Sequence, residues 1–237
     1  MHLGGSTAPS GRVGLEVIRG HKLSKSAVPA KELSLAEILR YGTPQPGLPE
    51  WLNRWKRSNL PRLWRGASKV LAARALGIAH VYGALSLVVI RGNGDIEDYG
   101  LVSMRVVTTA GVNYLVDALQ NLTEPENLKF HGIGTGTNAE AIGDTALQTE
   151  LTTEYNPNST RATGSLTEGA SANIFRTVGT NTLDSGTPAV TEHGIFSQAA
   201  TGGGTLLDRS TFAAINLVGA NGDSLQSTYD LTIAAGS

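Results

Sequence analysis

The chain has 237 residues, 40% of them hydrophobic, 5% aromatic and 16% charged, with a net charge of −1. It contains no cysteine, which excludes a disulfide framework and a thiolate metal site. Few aromatics together with 29 glycines suit short strands joined by turns better than a helical bundle.

The near-neutral charge conceals an opposition. Residues 1–75 hold 13 of the 19 Lys and Arg against 4 acids, a net of +9, while residues 76–237 hold 6 against 16, a net of −10. This division predicts a basic N-terminal arm, 1–75, and an acidic body, 76–237, with different partners. The first residues, MHLGGSTAPSGRVG, lack the charged-then-apolar pattern of a secretion signal, so a protein made in the cytoplasm is expected. The most apolar run, residues 70–90, is interrupted by Arg74 and His80, which argues against a membrane span.

Along the arm, Ser34 to Glu37 has capping-box spacing and Gly42 is a plausible stop, predicting a short helix. Pro49 and Pro61 suit first-turn positions, predicting further short helices. Trp51, Leu52 and Trp55 then share one helix face, with Arg54, Lys56 and Arg57 around the other side. All three tryptophans lie in this stretch. The candidate docking residues are Trp51, Trp55, Arg57, Trp64 and Arg65. Tryptophan anchors flanked by arginine suit a protein surface, either the body's own or a partner's, ahead of lipid or nucleic acid.

In the body the period changes. Residues 82–91 and 96–107, joined by Gly92 to Asp95, predict a β-hairpin. Val112, Leu115, Val116 and Leu119 follow at i, i+3, i+4, i+7, the apolar stripe of a helix that Thr109 can cap. Strand patterns then resume at 127–134, 159–166, 171–180, 188–198, 204–217 and 224–235. The last places Leu225, Tyr229, Leu231 and Ile233 on one face. The expected fold is mainly β: an antiparallel, jelly-roll-like β-sandwich with one body helix and a helical or extended basic arm.

Chemistry is harder to find. The stretch 131–140, HGIGTGTNAE, carries Gly132, Gly134 and Gly136, but Thr137 stands where a dinucleotide fingerprint needs its third glycine. No Gly-Lys pair exists for a nucleotide-binding P-loop. The tripeptide His-Gly-Ile recurs at His193, so His131 and His193 could lie side by side on paired strands, with Glu192 or Asp208 as a third ligand. Without a short ligand spacing, neutral hydrogen-bonded histidines are expected rather than a metal site. No nucleophile elbow or paired carboxylate stands out. No catalytic, cofactor-binding or metal residue is expected, and the glycines are expected to serve turns and close backbone approach.

With the strands laid out, residues 96–237 resemble β-rich structural proteins of tailed bacteriophages. The resemblance rests on a G-x-G-T segment at Gly134, the phrase TEHGIF (191–196) and a closing GDSL (222–225) before the final strand, in that order. It implies a non-enzymatic virion component: a capsid decoration (cement) protein or, alternatively, a tail-fibre, collar or adaptor piece. Its partners would be other virion proteins, and TEHGIF and TLLDRSTF (205–212) would be adjacent strands. A carbohydrate-binding sandwich is a further alternative, which would need exposed aromatics and paired acids on one face. A core poor in large side chains gains less from burial, so a homo-oligomer, with a trimer favoured, is expected.

Overall fold

The computed structural model describes residues 17–18, 21–22, 50–105 and 107–236, with side chains at 59 and from 62 onward. Two short strands, β1 (Val17–Ile18) and β2 (His21–Lys22), pair with each other. The predicted helix at 34–42 lies outside the described residues. A long helix α1 (Glu50–Ala75) leads into the hairpin β3 (His80–Ile90) and β4 (Ile96–Arg105), then helix α2 (Thr109–Leu119). The remaining strands are β5 (Phe130–Gly134), β6 (Ala162–Thr163), β7 (Ser165–Glu168), β8 (Ile174–Thr182), β9 (Ala189–Phe196), β10 (Leu206–Asn216) and β11 (Ser224–Ala234).

Strands β3 to β11 form two antiparallel sheets, ordered β4-β3-β11-β8-β7 and β10-β9-β5-β6. The protein is thus mainly β, a two-sheet sandwich. Successive hairpins alternate between the sheets, and the final strand inserts between β3 and β8. Strand parity builds the core. Leu85, Leu87 and Val89 of β3 turn inward with Leu225 and Val102, meeting Ile133, Val190, Phe212 and Ile215 of the facing sheet. Each such side chain, once buried, contributes roughly 1.5–3 kcal/mol.

Helix α1 obeys the 3.6-residue period. Leu63, Gly66, Ala67 and Val70 are buried, whereas Trp64, Arg65, Ser68 and Lys69 are exposed. The buried face packs on Tyr82, Leu101 and Met104 of β3 and β4. Gly66 permits this approach, since a Cβ there would lie 1.8 Å from the Met104 carbonyl oxygen. Asn59, fully buried, accepts a hydrogen bond from the Ala213 amide of β10 at 3.0 Å. Two short helices split at Pro61 were expected; one continuous helix runs through it. An interior proline costs about 3 kcal/mol, and the packed face on either side of it offsets that cost.

Helix α2 also departs from expectation. Its cap is Thr108, not Thr109: the hydroxyl accepts from the Gly111 amide at 2.9 Å and donates to the Leu206 carbonyl at 2.6 Å. That bond turns Gly111, Tyr114 and Leu115 toward the body, leaving Val112, Val116 and Leu119 exposed at 42%, 47% and 88%. The apolar stripe read from the sequence therefore faces outward, apart from Leu115.

Candidate functional site

Sequence singled out His131, His193, Glu192 and Asp208, and the structure sorts them onto two faces of the four-stranded sheet. TEHGIF (β9) and TLLDRSTF (β10) are adjacent antiparallel strands, with His193 opposite Ser210. His131 and His193 sit on β5 and β9, offset diagonally: Ile133 faces His193 and His131 faces Ile195. Their rings point into the sandwich, where His131 Nδ1 and His193 Nε2 are 3.0 Å apart and His131 Nε2 is 3.1 Å from the Thr177 hydroxyl.

One tautomer pair leaves no orphan donor. His193 Nε2–H donates to His131 Nδ1, His131 Nε2–H donates to Thr177, and His193 Nδ1 is left as a bare acceptor. Burial lowers the pKa of His131 to about 3 and depresses that of His193 well below its usual value, with the neighbouring ring adding to the effect. Both rings are neutral at physiological pH.

Asp208 shares this interior. Its Oδ1 accepts from the Ser210 hydroxyl at 2.9 Å, and its Oδ2 has no hydrogen-bond partner among the described residues. A Cβ built on Gly83 would meet both that oxygen and the Tyr229 hydroxyl, so the two polar groups converge on one backbone position of β3. Burial raises the Asp208 pKa to about 7, against the lowering effects of Ser210 and Arg105. A carboxylic acid, a phenol and two imidazoles are thus packed in an interior of almost no solvent exposure.

Glu192 cannot join them, because adjacent strand residues point to opposite faces. On the outer face its carboxylate accepts from the Gly136, Thr149 and Gln148 amides at 2.9, 2.8 and 3.0 Å and from Arg209 Nε at 2.8 Å. Arg209 also bonds Asp144 at 3.0 Å. This network ties the loop at 144–151 across the sheet. The alternate glycines make room for it: a Cβ on Gly134 would lie 2.3 Å from the Thr149 carbonyl oxygen, and one on Gly136 would lie 2.5 Å from Glu192 Oε1. Farther along, Arg161 pairs with Glu150 at 2.5 Å, donates to the Gln198 and Gly203 carbonyls, and lies 3.4 Å over the Phe196 ring. Sequence reasoning missed Arg161. Parity alone could have parted Glu192 from His193.

Of the candidate docking residues, Trp51, Trp55 and Arg57 lie on α1 with side chains outside the described set. Trp64 and Arg65 are exposed on its outer face, Trp64 at 45%. A second surface feature has no counterpart in the sequence reading. Between α2 and the β7-β8-β11 side of the larger sheet opens a groove of about 490 Å³, lined by apolar side chains including Leu115, Leu128, Leu166, Phe175, Leu231 and Ile233, with Glu126 and Glu168 also on its walls. Ile233, expected on one face with Leu225, Tyr229 and Leu231, is 54% exposed here while those three are buried. It lies near the end of β11, where the facing sheet no longer covers it.

Among the described residues, no group of three or more His, Asp or Glu is placed to hold a metal ion, and no helix is long and apolar enough to cross a membrane. Compared with models of known protein families and with curated proteins, the chain finds no match in either.

Proposed function

We propose that the chain is a non-enzymatic virion structural protein of a tailed bacteriophage, a capsid decoration protein that docks on the head and stabilises it. The observation that carries this reading is the seating of α1. Its 26 residues hold seven Lys and Arg against one acid, Glu50, and its apolar face anchors them on an acidic sandwich. A basic, Trp-bearing element fixed to a rigid body is suited to an acidic or apolar shell surface. The phage-like phrases in residues 96–237 supply the class of particle. A non-enzymatic role is supported by the way the titratable residues of β5, β9 and β10 are used in internal hydrogen bonds and ion pairs.

Adding the purified chain to phage particles that lack it, then counting bound copies by quantitative mass spectrometry, tests the proposal. The expected result is a count in the hundreds, with particles more resistant to heating. Replacing Trp51, Trp55 and Arg57 together with alanine should lower the occupancy. A few copies or a dozen would assign the protein to tail fibre, collar or adaptor instead, and no binding would overturn the reading.

A further inference from the structure

The two surface features just described lie toward opposite edges of the larger sheet. Helix α1 covers the β4 edge and presents Trp64, Arg65, Ser68 and Lys69 outward. The groove opens at the β7 edge, with an apolar floor and Glu126 and Glu168 on its walls. One is an exposed aromatic knob ringed by positive charge; the other is an apolar hole bordered by negative charge.

We propose that Trp64 of one copy docks in the Leu166/Phe175/Ile233 groove of a second copy, with Arg65 and Lys69 facing Glu126 and Glu168. Three observations favour a second copy as occupant. The groove holds an aromatic ring comfortably, being within the roughly 300–1,000 Å³ of ordinary ligand pockets. A docked tryptophan buries about 150–250 Å², covering apolar side chains such as Ile233 that are otherwise wet. The acids on the groove walls would repel another groove, so pairing of like with like is disfavoured, whereas the basic helix meets them with opposite charge.

Because knob and hole lie toward opposite edges, the contact is heterologous and repeats head to tail, closing into a ring if the rotation permits. Trp51, Trp55 and Arg57 remain for the shell, so the inference concerns the free chain and does not rest on the virion reading.

Sedimentation velocity of the full chain at micromolar concentrations tests it. Concentration-dependent association is expected. Trp64→Ala should weaken it by about 30-fold or more, as for a central aromatic hot spot. Ile233→Asp should have a comparable effect, and Glu168→Arg, a surface change that leaves the fold alone, should weaken it too. Arg65→Glu combined with Glu168→Arg should recover part of the loss.

The sharpest measurement mixes the Trp64→Ala chain with the Ile233→Asp chain. Each is expected to stay monomeric alone, and together they should form a dimer and nothing larger, because one intact knob meets one intact groove. A wild-type chain that stays monomeric overturns the inference, as does association that survives both variants. Association that appears only after removal of residues 1–49 also overturns it, in favour of the chain's own N-terminal segment in the groove.

Discussion

The β4/β10 edge and the β7 edge of the sandwich solve one problem in opposite ways. At the first, α1 lies across strands of both sheets and buries Leu63, Ala67 and Val70 against Tyr82, Leu101 and Met104. Toward the second, α2, anchored on β10 by its Thr108 cap, brings Leu115 into a groove lined by β7, β8 and β11 while Val112, Val116 and Leu119 meet solvent. A helix whose small and aliphatic face, Leu63, Ala67 and Val70, fits the sheet closes an edge. A helix with apolar residues on two faces can bury only one of them and leaves the other in solvent.

The largest expected effect comes from removing the closed edge. Deleting residues 1–75 strips α1 from β3, β4 and β10, and should destabilise the body by several kcal/mol, since each large apolar side chain uncovered costs about 1.5–3 kcal/mol. Deleting residues 1–49 should leave the urea midpoint nearly unchanged. Equal midpoints for the two truncations would show that α1 is dispensable to the fold.

Close packing at that edge gives the next effect. Gly66→Val places side-chain atoms against the Met104 carbonyl and should cost about 1–3 kcal/mol in chemical denaturation, in the range of overpacked core sites. A change below about 0.5 kcal/mol would mean that the helix can shift away from β4.

Between the two edges, the buried polar interior makes stability depend on pH in opposing senses. The unfolded chain protonates His131 and His193 near pH 6.5, whereas the fold refuses the proton on His131 down to about pH 3 and on His193 well below the usual value. That contribution is lost as pH falls below about 6.5. Asp208 runs the other way: the fold keeps its proton up to about pH 7, while the unfolded chain releases it near 3.9. Its contribution is present at low pH and lost as pH rises toward 7.

Asp208→Asn removes the opposing effect, so stability should fall more steeply on acidification from pH 7 to 4.5. The slope should exceed that of wild type by about 1.4 kcal/mol per pH unit, one proton's worth. Parallel slopes in urea titrations at several pH values would show that Asp208 is ionised in the fold.

The smallest effect belongs to the open edge. Leu119→Lys should change stability by no more than about 0.5 kcal/mol, although the same class of residue at the closed edge, in Leu63→Ala, should cost about 2–5 kcal/mol. Thermal denaturation of the two variants side by side tests the contrast. A large loss for Leu119→Lys would mean that this face of α2 is already covered.

Much of this architecture was legible in the chain itself. The strand patterns at 82–91 and 224–235 located β3 and β11 to within two residues, because a strand with one buried face must alternate. Turn residues such as Gly92 to Asp95 marked the hairpins. With no glycine at position 137, His131 to Gly134 could be read as strand, and the strand ends there, with residues 135–140 in loop.

Other features are products of position in space. Periodicity finds a helix but not which side the body lies on, so Val112, Val116 and Leu119 could be placed only once Thr108 had bonded to the Leu206 carbonyl across 98 residues. The same holds for Pro61, whose cost is local while the contacts that offset it, on β3, β4 and β10, are far away in sequence. His131 and His193, 62 residues apart, were expected as neutral hydrogen-bonded groups, but their direct ring-to-ring contact and the Thr177 partner on the facing sheet come from packing. The groove's lining comes from α2, the 3-10 turn at 125–127, β7, β8 and β11. No single segment carries its signature, because a hole between elements is set by how they pack.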